Sequence, residues 1–123
     1  MNKDNIIGGK SKEFAIRIVK LYKYLSDEKN EYTMSKQILK SGTSIGANVK
    51  EAVYAQSKKD FISKMNIALK EAAETEYWLE ILSKTEYLTE DQYESMSQDC
   101  KELIKLLIVI VKSSKKESAE PTP

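Results

Sequence analysis

The side chains best placed by type to do chemistry are the carboxylates Glu71, Glu74 and Glu76, the thiol of Cys100, and a run of hydroxyls and small residues, Ser41-Gly42-Thr43-Ser44-Ile45-Gly46-Ala47-Asn48-Val49-Lys50-Glu51. Carboxylates on helices can hold a di-iron centre, but that chemistry needs a Glu-x-x-His pair on two of the helices, and the chain has 0 histidines. Glu74 and Glu76 are two residues apart, so on a helix they point to different sides and make a poor acid–base pair. Glu71 and Glu74 share a face and read as surface charge. A serine nucleophile needs a neighbouring base and an exposed elbow, and Ser44 has neither signature. Cys100 sits among apolar residues at helical spacing and reads as a core thiol. These patterns predict no catalytic residue, no metal site and no cofactor.

The run from Ser41 to Glu51 carries a structural signal instead. Gly42 and Gly46 lie one turn apart inside a helical stretch, where each costs roughly 1 kcal/mol relative to alanine. Close approach of a neighbouring helix backbone compensates for that cost. Asn48 and Glu51 are also one turn apart and are placed to hydrogen-bond each other or to reach another helix. The helix-packing motif is therefore Ser41, Gly42, Ser44, Ile45, Gly46, Asn48 and Glu51. Gly-x-x-x-Gly also occurs in membrane helices, but Lys40, Ser41, Thr43 and Ser44 make this one too polar for lipid.

The elements that must position this motif are long amphipathic helices. A first, from about Ser11 to Lys29, sets Phe14, Ile18, Leu21 and Leu25 on one stripe. A second spans about Thr33 to Ala55 and carries Met34, Ile38, Ile45, Val49 and Ala52. A third begins at Ser57, whose hydroxyl caps the Asp60 amide, and runs to about Lys84 with Phe61, Met65, Ala68, Ala72, Leu79 and Leu82 inward. A fourth starts at the capping box Thr89-Glu90-Asp91-Gln92. Acids at its front and Lys112, Lys115 and Lys116 at its back follow the preference of the helix dipole. Short connections predict an all-α, antiparallel up-and-down four-helix bundle over residues 1–113, with a disordered C-terminal tail over 114–123.

A chain of 123 residues with 41% hydrophobic content is long enough for one core without disulfide or metal support. One cysteine excludes an internal disulfide and fits a reducing compartment. The start lacks a signal-peptide core and the apolar run Leu106–Val111 is too short to cross a bilayer, so a cytoplasmic protein with no membrane contact is expected. Twenty basic and nineteen acidic residues leave a charge of +1, well short of the basic excess typical of phosphate binders. The one local concentration is Lys10, Lys12, Arg17, Lys20 and Lys23 on helix one, a candidate nucleic-acid surface. Around Leu106, Ile108 and Val109 the fourth helix is apolar on most sides, which predicts a subunit interface there.

The combination Ser-Ile-x-x-Asn-x-x-Glu at Ser44–Glu51, then Ser-x-x-Asp-Phe at Ser57–Phe61, Ala68-Leu69 and Glu74-x-Glu76, resembles the bacterial four-helix bundle family of 23S rRNA intervening-sequence proteins. The resemblance spans about Ser11 to Val111. It implies a ring-like homopentamer without enzymatic activity that serves as an RNA- or ribonucleoprotein-associated scaffold, with rRNA as a partner. A related branch, the accessory variability proteins of diversity-generating retroelements, is basic, unlike this chain. The alternative implied function is a protein-interaction adaptor, including a reverse-transcriptase accessory role, without direct nucleic-acid binding.

Overall fold

The computed structural model describes residues 2–119, which form four helices and, among those residues, no strand: α1 (Asn2–Asp27), α2 (Met34–Val53), α3 (Lys58–Lys84) and α4 (Glu90–Ala119). Each helix packs on its chain neighbours, and α4 closes the bundle against α1, with no diagonal pairing. The pairings run in opposite directions, as in an up-and-down bundle. Going forward along α1, Ser11 meets Gly46 and Ile18 meets Gly42. Going forward along α2, Ser41 meets Thr75 and Glu51 meets Lys64. At ~1.5 Å per residue, the 27 residues of α3 give the bundle a height of roughly 40 Å.

Caps begin the helices where local chemistry demands. Ser57 Oγ accepts from the Asp60 amide at 3.0 Å, starting α3. The Thr89 amide donates to Gln92 Oε1 at 2.9 Å and the Gln92 amide donates back to Thr89 Oγ1 at 3.1 Å, closing the expected box. At α2 the Thr33 side chain makes no capping bond, and Glu31 supplies the cap. Its buried carboxylate accepts from the amides of Thr33, Met34 and Ser35 at 3.2, 3.1 and 2.7 Å, filling three of the otherwise orphaned donors. Asn30 and Glu86 take positive φ just past α1 and α3, turning the chain where glycine is more usual.

The anticipated stripes supply the core: Phe14, Ile18 and Leu25 meet Ile38, Ile45 and Val49, and Met65, Leu79 and Leu82 meet Leu103 and Leu107. Two boundaries differ from the sequence reading. The first helix starts at Asn2, not Ser11, because Ile7 lies seven residues before Phe14 on the same stripe and is fully buried. That burial carries the helix across Gly8-Gly9 despite their poor propensity. The fourth helix continues through Ala119, so residues 114–119 are helix and not a disordered tail. Ser114 is buried, and Glu117 accepts from Lys58 of α3 at 3.0 Å. Pro121 and Pro123, the tail's prolines, lie outside the described residues.

The α1–α2 crossing is set by missing side chains. A Cβ added at Gly42 would fall 2.6 to 2.9 Å from three side-chain carbons of Ile18, and one at Gly46 would fall 3.3 Å from the Ser11 carbonyl oxygen. Around Gly9 nothing lies within 4 Å of the corresponding position. Gly42→Ala is therefore expected to lose about 1–3 kcal/mol in urea denaturation, since the branched Ile18 has no free end to swing aside. Gly9→Ala should instead gain up to about 1 kcal/mol from helix propensity.

Candidate functional site

The residues of the helix-two motif divide into three tasks. Gly42 and Gly46 admit α1, as described, while Ile45 is fully buried in the core. Ser41 is also fully buried, and its hydroxyl is hydrogen-bonded at 2.9 Å to that of Thr75, which lies 2.8 Å from the Glu71 carbonyl oxygen. This pair joins α2 to α3 through the bundle interior. Ser44 Oγ donates to the Lys40 carbonyl and Asn48 Nδ2 donates to the Ser44 carbonyl, at 2.7 and 2.8 Å, so both satisfy their own helix. Asn48 and Glu51 do not bond each other. Glu51 reaches across to Lys64 of α3 at 3.0 Å, where the neighbouring carboxylate pushes the lysine pKa up.

The five basic residues of α1 are split by the bundle. Lys10 pairs with Glu102 at 3.2 Å, and Arg17 pairs with Asp99 and also donates to Ser95, so both are committed to α4. Lys12, Lys20 and Lys23 are exposed and make no ion pair among the described residues. The structure adds a group that the sequence reading missed: Lys36, Lys40 and Lys50, exposed on the adjacent helix α2. Their signal was present as one-sided charge along the chain. Residues 1–57 hold ten basic and six acidic side chains, whereas 70–102 hold three basic and ten acidic, so the overall +1 conceals a lysine-bearing α1–α2 layer and an acidic stretch across α3 and α4.

With the motif on the α1–α2 and α2–α3 seams, comparison with known proteins is decisive. Residues 3–109 match the model of the 23S rRNA-intervening sequence protein family. The chain belongs to that family. It is similar to a solved structure from Bacteroides thetaiotaomicron, a protein with unknown function from the S23 ribosomal protein family. The two are 64% identical, the match covers 89% of this chain and 98% of that one, and the TM-score is 0.89. No curated protein matches the chain.

In this family member the apolar surplus of α4 is largely used within the chain. Leu106 packs against the core, Ile108 is half-buried, and only Val109, at 40% exposure, faces outward. The reason lies in the square arrangement: α4 is covered by α1 on one flank and α3 on the other, so a helix apolar on three sides can be satisfied without another copy. Of the residues expected at an interface, Val109 is exposed and Leu106 and Ile108 are half-buried in the single chain. Apolar side chains are exposed elsewhere as well, at Ile16 and Val19 on α1, Val53 and Tyr54 at the end of α2, and Ile67 and Tyr77 on α3.

Cys100 and Glu76 each have a partner within the bundle. The Cys100 Sγ–H donates to the Ala72 carbonyl at 3.3 Å, and burial, reinforced by Glu76 and Asp99, pushes its thiol up to about 12. Glu76 accepts from Ser97 and lies 3.7 Å from Lys101. Among the described residues no group of three or more His, Cys, Asp or Glu side chains is placed to hold a metal ion, and no helix is long and apolar enough to cross a membrane.

Native Cys100 should react with iodoacetamide at about pH 8 at least roughly a hundredfold more slowly than the urea-unfolded chain, because the thiolate is disfavoured and enclosed. In a double-mutant cycle, Ser41→Ala and Thr75→Val should each cost about 1 kcal/mol by removing the bond between the two buried hydroxyls. Together they should cost clearly less than the sum, since that shared bond is lost only once.

Proposed function

We propose that this protein is a non-enzymatic, homo-oligomeric scaffold of the cytoplasm, in the form of a ring-like homopentamer, that associates with RNA or a ribonucleoprotein. The observation that carries the reading is the lysine layer. Lys12, Lys20 and Lys23 on α1 and Lys36, Lys40 and Lys50 on α2 stand exposed on neighbouring helices, with no carboxylate paired to them among the described residues. One copy offers a modest set of phosphate contacts. Repetition around a ring makes it multivalent, which raises avidity without any new contact.

A second reading, a protein-interaction adaptor that includes contact with a reverse transcriptase, draws on the acidic stretch over residues 70–102, which repels phosphate and suits a basic protein. The two readings part on one treatment: an adaptor keeps its partner after nuclease digestion, and an RNA-associated scaffold releases it.

Light scattering after size exclusion should give a mass several times the 14.0 kDa of one chain. Fluorescence polarisation with labelled rRNA fragments should show affinity falling steeply between about 50 and 200 mM salt. Replacing Lys20, Lys23, Lys36 and Lys40 with glutamine should lower affinity by roughly tenfold or more and flatten the salt dependence. Binding that ignores salt, or none at all, contradicts the RNA reading.

A further inference from the structure

Resting on the homo-oligomer reading above, we propose that copies join head to tail, a cleft between α1 and α2 of one copy receiving the outer stripe of α3 from the next. The cleft has a volume of about 530 Å³. Its floor is built from small residues, Gly8, Ser11, Ala15, Thr43, Gly46 and Ala47, so two helix backbones are open to a third. Lys12 and Lys50 line its sides, both exposed, and Val53, at 65% exposure, lies at one end. A cleft with that lining fits a helix that carries bulky apolar side chains and negative charge.

The same chain presents such a helix. On α3, Ile67, Glu71, Glu74 and Trp78 recur at i, i+4, i+7 and i+11, the spacing of one stripe. Ile67 is 39% exposed, and Tyr77, at 55%, meets the Trp78 ring edge-on at 5.2 Å. Trp78 Nε1 donates to Glu74 Oε2 at 3.1 Å, holding the acid beside the aromatic pair. Glu71, pushed up by burial and by Glu74, is partly offset by Lys40; a lysine from another copy would ease the repulsion between these two acids. From Ile67 to Trp78 the stripe runs roughly 16 Å, comparable with the length of the cleft walls. Bulk meets smallness, and acid meets lysine.

Two different faces make the contact heterologous, which generates a ring if the rotation closes and a filament if it does not. Glu71 lies four residues before Thr75 and seven after Lys64, the residues through which α3 contacts Ser41 and Glu51 of α2, so the stripe lies on the α2 side of α3. Cleft and stripe therefore flank the same helix and are inclined to each other, not diametrically opposed. Inclined faces curve a head-to-tail chain toward closure.

The test uses two full-length variants at exposed positions, Lys12→Glu/Lys50→Glu in the cleft and Ile67→Lys/Glu74→Lys on the stripe, with circular dichroism melts to show that each stays folded. Each alone should fall from the wild-type mass to the 14.0 kDa monomer in light scattering. Ala47→Trp, which fills the cleft without altering charge, should also give a monomer. The stripe variant mixed in equal amounts with Ala47→Trp should form one species of about twice that mass, because the intact stripe of the tryptophan variant fits the intact cleft of the other, while a blocked, basic cleft and a basic stripe are left unable to pair. If the wild type assembles and all three variants keep its mass, this interface is wrong while the scaffold reading stands. A wild-type monomer at micromolar concentration overturns both.

Discussion

The contact between Ile18 and the bare backbone at Gly42 governs how the first two helices meet. The Ile18 side chain fills the space that a side chain at position 42 would take, so the helices approach closely enough for Ile18 and Ile45 to be fully buried at the seam. One turn further along α2, Gly46 lies over the Ser11 backbone, and the same closeness is kept. Two glycines one turn apart fix both the separation and the register of α1 on α2, because interiors pack densely and leave no slack to slide. The other seams are built from interdigitating aliphatic side chains, the buried hydroxyl pair Ser41 with Thr75, and ion pairs such as Arg17–Asp99 and Lys64–Glu51.

That seam has a consequence for the surface. Small residues that let two helices approach on the inside also leave a shallow trough on the outside, lined by Ala15, Thr43 and Ala47. Such a trough in the lysine-bearing layer gives the molecule one distinctive side. The acidic stretch from residue 70 to residue 102 gives it another, on α3 and the first half of α4. A net charge near zero is thus the sum of two strong local imbalances, and local imbalance is what a partner feels within a Debye length of roughly 8–10 Å.

Charge and burial also set what several residues with reactive side chains do within the fold. Cys100 is packed against Ala72 with its thiolate disfavoured, Ser41 and Thr75 bond each other, and Ser44 bonds its own helix. In each case the polar atom is used to satisfy the fold, as buried polar groups must be. Membership in the 23S rRNA-intervening sequence protein family fits a molecule whose distinguishing features are surfaces.

The sequence by itself determined whatever depends on neighbours within one or two turns: four helices, the caps at Ser57 and Thr89, the inward stripes, the need for close approach at Gly42 and Gly46, and the absence of histidine chemistry. Tertiary structure decided the rest. Burial of Ile7 extended α1 across two glycines, and the contacts of Ser114 and Glu117 extended α4 past its apolar run, both through partners far along the chain. Lys10 and Arg17 became parts of the α1–α4 seam while Lys12, Lys20 and Lys23 stayed free for solvent, a division fixed by which acids α4 brings alongside. Leu106 packs on the core and Ile108 is half-buried, with α1 and α3 against both flanks of α4. Periodicity identifies a face, but the number of neighbours around a helix decides how much of that face is hidden, and that number exists only once the bundle has closed.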